Sequence, residues 1–168
     1  MEIKNFLQEN HFDAWVIYDF ESSNPAFNSL IGNLYLTRKC FVIIKAHEQS
    51  SIICHIVDYF ALEGRTRNND FIIKTYKNWT DMTTLLRKEL KKTDNILMDI
   101  SEYGLLPQCS YVDYGTVCLI ADFVNSIKSS ADILQYITAR LSDDSIALHI
   151  EAAECINGIK DEAFNYIK

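Results

Sequence analysis

Two prolines and five glycines are all that punctuate the 168 residues. No Pro/Gly-rich linker, repeat or low-complexity tract divides the chain, so its elements must follow one another closely. No uninterrupted apolar stretch approaches the roughly 18 residues that a membrane span needs. The opening Met1-Glu2-Ile3-Lys4-Asn5 lacks the basic and then apolar pattern of an export signal. Positive charge is in deficit: 16 Lys and Arg stand against 23 Asp and Glu, a formal net charge of -7. Such a field repels phosphate backbones and anionic lipid, which argues against nucleic acid and membrane as partners. A cytoplasmic location is expected.

Close spacing of metal ligands is also missing. Five Cys and four His fall in no zinc-binding pattern. His55 with Asp58 lacks a third ligand and reads as a strand end followed by a solvated turn, and His149 and Glu151, two apart on a helix, point in different directions. There is no Gly-x-Ser-x-Gly elbow and no glycine cluster after a strand to cradle phosphate. Asp143-Asp144 and Asp161-Glu162 read as solvated helix carboxylates. No catalytic residue and no metal ligand is assigned. The odd number of scattered cysteines, most beside apolar residues, reads as reduced core thiols.

What is present is an ordinary globular composition, 48% hydrophobic and 23% charged, enough for one compact core. Ala14-Trp15-Val16-Ile17-Tyr18 is a continuous apolar run of the kind found in strands buried on both faces. Cys40 to Ile44 and Ser51 to His55 form a hairpin pair, and Phe71-Ile72-Ile73 and Asn95 to Asp99 read as further strands. Short helices surround Ile3-Phe6-Leu7 and follow Asn24-Pro25. Met82, Leu85, Leu86 and Leu90 make the apolar stripe of a helix over Asp81 to Lys92, whose basic end at Arg87, Lys88, Lys91 and Lys92 suits the helix dipole. Asn78-Trp79-Thr80 matches a glycosylation sequon but reads better as a helix cap. Helices over Gly115 to Val124 and Ser130 to Leu141 flank a short segment, Ser126 to Ser129. Ser142 then caps a helix that runs to Lys168. At about twice the usual length of some 11 residues, this helix has no stop signal. The order predicts a three-layer α/β/α fold with a mixed sheet of about five or six strands, plus a long C-terminal helix.

Two loops invite a ligand. Asp19-Phe20-Glu21-Ser22-Ser23-Asn24-Pro25 follows the central strand, where α/β proteins place ligand-contacting residues, though a capped turn explains it too. Arg38, in Leu36-Thr37-Arg38-Lys39, offers an anion-binding side chain or a solvated strand entry.

Taken together, Tyr18-Asp19-Phe20, Ser23-Asn24-Pro25, Leu36-Thr37-Arg38-Lys39, Tyr111-Val112-Asp113 with Gly115, and Ser129-Ser130-Ala131-Asp132 with Gln135 follow an ordered pattern. It resembles the amino-terminal, creatinase-like domain of the pita-bread metallopeptidases, the Xaa-Pro aminopeptidases and Xaa-Pro dipeptidases (prolidases). The closing stretch, His149, Glu151-Ala152-Ala153 and Lys160 to Phe164, resembles the helix that begins their catalytic domain. Asn125-Ser126 depart from the pattern, where a glycine is expected at the end of the preceding helix.

The resemblance implies a domain over 1–141 and, over 142–168, the first helix of a truncated catalytic domain. That domain would hold two divalent metals (Mn, Co or Zn) on two Asp, one His and two Glu, none of which maps onto this chain. The parent protein would be a metal-dependent Xaa-Pro peptidase and this segment alone not an enzyme. Its partners would be its own catalytic domain, a second copy in a homodimer and a proline-containing peptide. By the same analogy Asp19, Ser23, Asn24 and Arg38 are the candidate substrate-pocket residues. The alternative is a stand-alone, non-enzymatic peptide- or protein-binding module on the same fold.

Overall fold

A computed structural model describes residues 2–66 and 71–167. Lys168, to which the sequence extends the last helix, and Met1 lie outside the described residues. The backbone divides into two compact units, one ending at Leu134 and one beginning at Gln135.

Among the described residues the first unit holds six strands in the order β4-β3-β2-β1-β5-β6. These are β1 (Ala14–Asp19), β2 (Cys40–Lys45), β3 (Ser50–His55), β4 (Phe71–Tyr76), β5 (Asn95–Met98) and β6 (Ser126–Ser129). β1 with β2 and β2 with β3 are antiparallel, whereas β1 with β5, β3 with β4 and β5 with β6 run parallel. The expected mixed sheet is thus present. The unassigned segment Ser126–Ser129 is its edge strand, recruited by parallel pairing with β5 (Asn95↔Ser126 through Met98↔Ser129) rather than by any periodicity of its own.

Every residue of β1 is buried, as a central strand covered on both faces requires. On one face Val16, Tyr18, Phe41, Ile43 and Ile53 meet Met82 and Leu86 of α4 (Trp79–Glu89) and Ile120 of α5 (Tyr114–Ala121). The alternate β1 residues Trp15, Ile17 and Asp19 point the other way. Leu7 of α1 (Glu2–Glu9), Phe27 of α2 (Pro25–Ile31) and Leu62 of α3 (Tyr59–Glu63) are fully buried as well.

α3 and the 3-10 turn Ile56–Asp58 replace the solvated turn expected after His55. His55 Nδ1 accepts from Val57 N at 3.3 Å and so caps that turn, while Asp58 is buried and accepts from the backbone N–H and hydroxyl of Thr37. A tertiary contact 21 residues away decides this, and local sequence does not contain it. The cysteines also divide: Cys40 and Cys54 are buried, Cys118 and Cys155 exposed.

α4 begins two residues earlier than its stripe suggests because Asn78 caps it. Asn78 Oδ1 accepts from Asp81 N at 2.9 Å, and Asp81 Oδ2 accepts from Lys77 N at 3.3 Å, so two orphan donors are satisfied reciprocally. Asn78→Ala is expected to cost about 1 kcal/mol, read as a lowered urea midpoint. α4 ends at Glu89, short of the Lys92 expected from sequence, and the basic residues there have specific partners: Arg87 stacks over Phe123, Lys91 pairs with Glu48 and Lys92 donates to Asp122 O.

The second unit contains the second half of α6 (Ala131–Thr138) and all of α7 (Asp143–Ile167), a helix of 25 residues. Ser142 Oγ accepts from Ser145 N at 3.1 Å, the cap expected from sequence. Gly158 lies in the interior of α7, and a Cβ built there meets nothing within 4 Å. Gly158→Ala should therefore stabilise the helix by about 0.5–1 kcal/mol, seen as higher helix content and a later thermal transition by circular dichroism.

Candidate functional site

The carboxyl end of β1 carries the most structured constellation in the first unit. Asp19 is fully buried and turned inward, where Oδ2 accepts from Ser22 N (3.2 Å) and Oδ1 from Asn24 N (3.0 Å). Burial pushes its pKa up, against those backbone donors. Asn24, also fully buried, caps α2 through Ala26 N at 2.9 Å and donates to Tyr18 O (2.8 Å) and Asp99 Oδ2 (2.6 Å). Between them Glu21 and Ser22 both adopt left-handed φ, 56° and 59°. Non-glycine residues enter that region at a cost. Here the carboxylate of Asp19 holds the turn, and the Ser22 hydroxyl bridges Leu34 O and Leu36 N across the loop.

An open cavity of about 390 Å³ is lined by Tyr18, Phe20, Ser23, Lys39, Tyr111 and Asp113. Tyr18 is the penultimate residue of β1, Lys39 immediately precedes β2, and Asp113 caps α5 by accepting from Thr116 N at 2.8 Å and Thr116 Oγ1 at 2.7 Å. Lys39 is held at both ends: Tyr76 Oη donates to its carbonyl at 2.7 Å, and its ammonium donates to Thr116 Oγ1 at 2.8 Å. The ammonium also sits 3.5 Å from Asp113 Oδ2, 5.2 Å from the Tyr18 ring centroid and 5.9 Å from that of Trp79.

The electrostatics follow from this packing. Partial burial would raise the pKa of Asp113, but the Thr116 side chain and backbone, the Lys39 charge and the Tyr18 hydroxyl together lower it to about 2. Tyr18 is pushed well above its ordinary value, first by burial and then by the Asp113 charge. At neutral pH the cavity therefore presents the Asp113 carboxylate beside a neutral Tyr18 phenol.

Of the four residues named from sequence, Ser23 lines the cavity, Asp19 and Asn24 are buried and do not line it, and Arg38 is exposed with Nη1 donating to Thr37 O at 2.9 Å. Sequence reasoning missed Tyr18, Phe20, Lys39, Tyr111 and Asp113 as cavity residues. They lay inside the same landmark motifs, but only the fold shows which members of each motif face outward. Among the described residues no group of three or more His, Cys, Asp or Glu is placed to hold a metal ion, and no helix is long and apolar enough to cross a membrane.

No protein-family model matches the sequence, and no curated protein matches it significantly. Solved structures do. The creatinase/prolidase N-terminal domain of an X-Pro dipeptidase from Streptococcus pyogenes superposes with a TM-score of 0.60 at 10% identity, covering 80% of this chain and 94% of that one. The N-terminal domain of Xaa-Pro dipeptidase from Lactobacillus brevis gives 0.59 at 10%, covering 80% and 96%. The prolidase of Pyrococcus horikoshii gives 0.62 at 16%, covering 87% of this chain but 36% of that one. The chain has the creatinase/prolidase N-terminal fold. It spans nearly the whole of the separately solved domains and about a third of the longer prolidase.

Proposed function

We propose that this chain is the non-catalytic N-terminal domain of a metal-dependent Xaa-Pro peptidase. In this reading it supports dimerisation and contributes the rim of the substrate pocket, while hydrolysis belongs to a catalytic domain that follows it. Two divalent metals, Mn, Co or Zn, would be held by that domain. The observation that carries the reading is the fold's agreement with separately solved N-terminal domains over 94–96% of their length. The cavity between Phe20, Lys39 and Tyr111 is the surface through which the domain would meet a peptide.

The test is hydrolysis of Xaa-Pro dipeptides by the full natural gene product loaded with Mn²⁺, Co²⁺ or Zn²⁺. Cleavage that chelation removes supports the reading. A natural product that cleaves no Xaa-Pro bond with any of the three metals sinks it.

A further inference from the structure

Strand register brings two of the five cysteines together. β2 and β3 pair Ile43↔Ser51, Val42↔Ile52 and Phe41↔Ile53, so the next step sets Cys40 opposite Cys54. Phe41 and Ile53 belong to the face that meets α4 and α5, and side chains alternate along a strand. Both thiols therefore lie on the other face, where Cys40 is also the register partner of Asp19. We propose that this pair is a modification site: a reversible disulfide between Cys40 and Cys54 that ties β2 to β3. The inference rests on register and burial and is independent of the peptidase reading.

Directly opposite residues of an antiparallel pair have Cα atoms about 4.5–5.5 Å apart, inside the roughly 4.4–6.8 Å that a disulfide spans. Their Cβ atoms lie about 4.5–5.5 Å apart against about 3.5–4.5 Å in a disulfide, so the strands draw together slightly when the bond forms. The outer ladders keep the cysteines opposed: Cys40 is held by Asp19 of β1 and Cys54 by Thr75 of β4, which resists any slip of register. Past the pair, Thr37 donates to Asp58 through its N–H and its hydroxyl, both at 3.5 Å, joining the chain that enters β2 to the chain that leaves β3. Both cysteines are fully or almost fully buried. Lys39 of the cavity immediately precedes Cys40, so the bond would fasten the strand that carries it.

The reaction needs an oxidant, which a small-molecule disulfide such as glutathione disulfide supplies. The thiolate of one cysteine attacks a sulfur of that disulfide, its S–S bond breaks, and one glutathione thiolate leaves and takes up a proton. The second protein thiolate attacks the protein sulfur of the mixed disulfide, forming the Cys40–Cys54 bond and expelling the second glutathione. Two protein thiols lose two protons and two electrons, and one glutathione disulfide becomes two glutathione thiols. Burial pushes both protein thiols up, Cys54 to about 12 and Cys40 well above its ordinary value, and the Asp58 charge adds to both. Thiolate is therefore scarce at neutral pH, and exchange runs slowly, through local opening of the strands.

The experiment compares the folded and the unfolded chain in glutathione redox buffers. Cys109, Cys118 and Cys155, none of them buried, are first replaced by serine so that only the pair can react. Each sample is brought to equilibrium from the reduced and from the oxidised side, so slow exchange does not bias the result. Mass spectrometry reads the loss of two hydrogens, and trypsin is expected to yield residues 40–45 joined to residues 46–65. The equilibrium constant for the bridge should be at least about tenfold larger in the folded chain than in concentrated urea, because native register already holds the thiols opposed. The oxidised chain should then have a higher urea midpoint than the reduced one. A folded-chain constant equal to or below that in urea overturns the proposal, as does a lower midpoint for the oxidised chain. If the serine variant lacks the parent's circular dichroism spectrum, the parent chain is used after iodoacetamide has blocked its accessible thiols, and the same two readouts decide.

Discussion

Asp99→Ala is expected to lower the stability of the first unit by about 3–5 kcal/mol, a large share of the roughly 5–15 kcal/mol available to a domain. The carboxylate is completely buried at the end of β5 and collects three donors from three different elements. Trp15 Nε1 of β1 (3.0 Å) and Ser130 Oγ before α6 (2.5 Å) reach Oδ1, and Asn24 Nδ2 at the start of α2 (2.6 Å) reaches Oδ2. Burial pushes the pKa of Asp99 up, and the three donors oppose it. Trp and amide N–H groups can only donate, so a carboxylate satisfies this arrangement and an alanine strands all three. Asp99→Asn keeps the shape but turns a donor toward a donor, so it too should destabilise, by less. Trp15→Phe removes a single donor and is expected to cost about 1 kcal/mol. Urea midpoints measured for the three variants check the order. A midpoint for Asp99→Ala within error of the parent would remove the network from the account of the fold.

Glu89→Ala has the next largest expected effect, about 2–4 kcal/mol. Glu89 is the last residue of α4 and is buried, reaching across the sheet to Lys45 of β2 (3.2 Å), Lys74 of β4 and Ser51 of β3 (2.8 Å). Removing it leaves Lys45, whose side chain is 14% exposed, with only its bridge to the exposed Glu48 at 3.0 Å. The pH dependence has a definite sign. Burial would raise the Glu89 pKa, but Lys74, Ser51 and Lys45 lower it below the ordinary 4.5. A depressed carboxylate contributes stability that is full above its unfolded value and is lost as pH falls through its folded value. The stability gap between the parent and Glu89→Gln should therefore be constant above about pH 5 and shrink below 4.5. A gap that widens on acidification would show that the pair network is not what Glu89 contributes.

The legible parts of the fold were those whose signal is local. β1 announced itself because burial on both faces demands an unbroken apolar run, α4 because one-sided burial leaves a period, and α7 because the Ser142 cap marks its start and apolar residues recur at helical spacing, although none of them is buried. β6 was not legible: Ser126-Ile127-Lys128-Ser129 has neither alternation nor an apolar run. It is a strand because β5 offers it a parallel ladder. α3 was missed for a related reason, since the burial of Asp58 against Thr37 joins residues 21 apart.

The candidate site divides in the same way. Asp19 and Asn24 drew attention as polar residues after a central strand, a position that suits a ligand contact and a structural network equally well from sequence. Their carboxylate and amide are bound to backbone N–H groups and to Asp99, 75 residues from Asn24. Lys39, 77 residues from its partner Thr116, carried no local mark of being a site residue.

By itself the sequence determined the α/β class, the central strand, the capped helices and the order of motifs that resembles creatinase-like domains. Each of these depends on neighbours within a few residues, where patterning and hydrogen-bond chemistry act directly. Tertiary structure alone decided which polar residues point inward to hold the β1 turn and which line the cavity. Those roles are set by contacts between distant segments, and a side chain of the same chemistry serves either one.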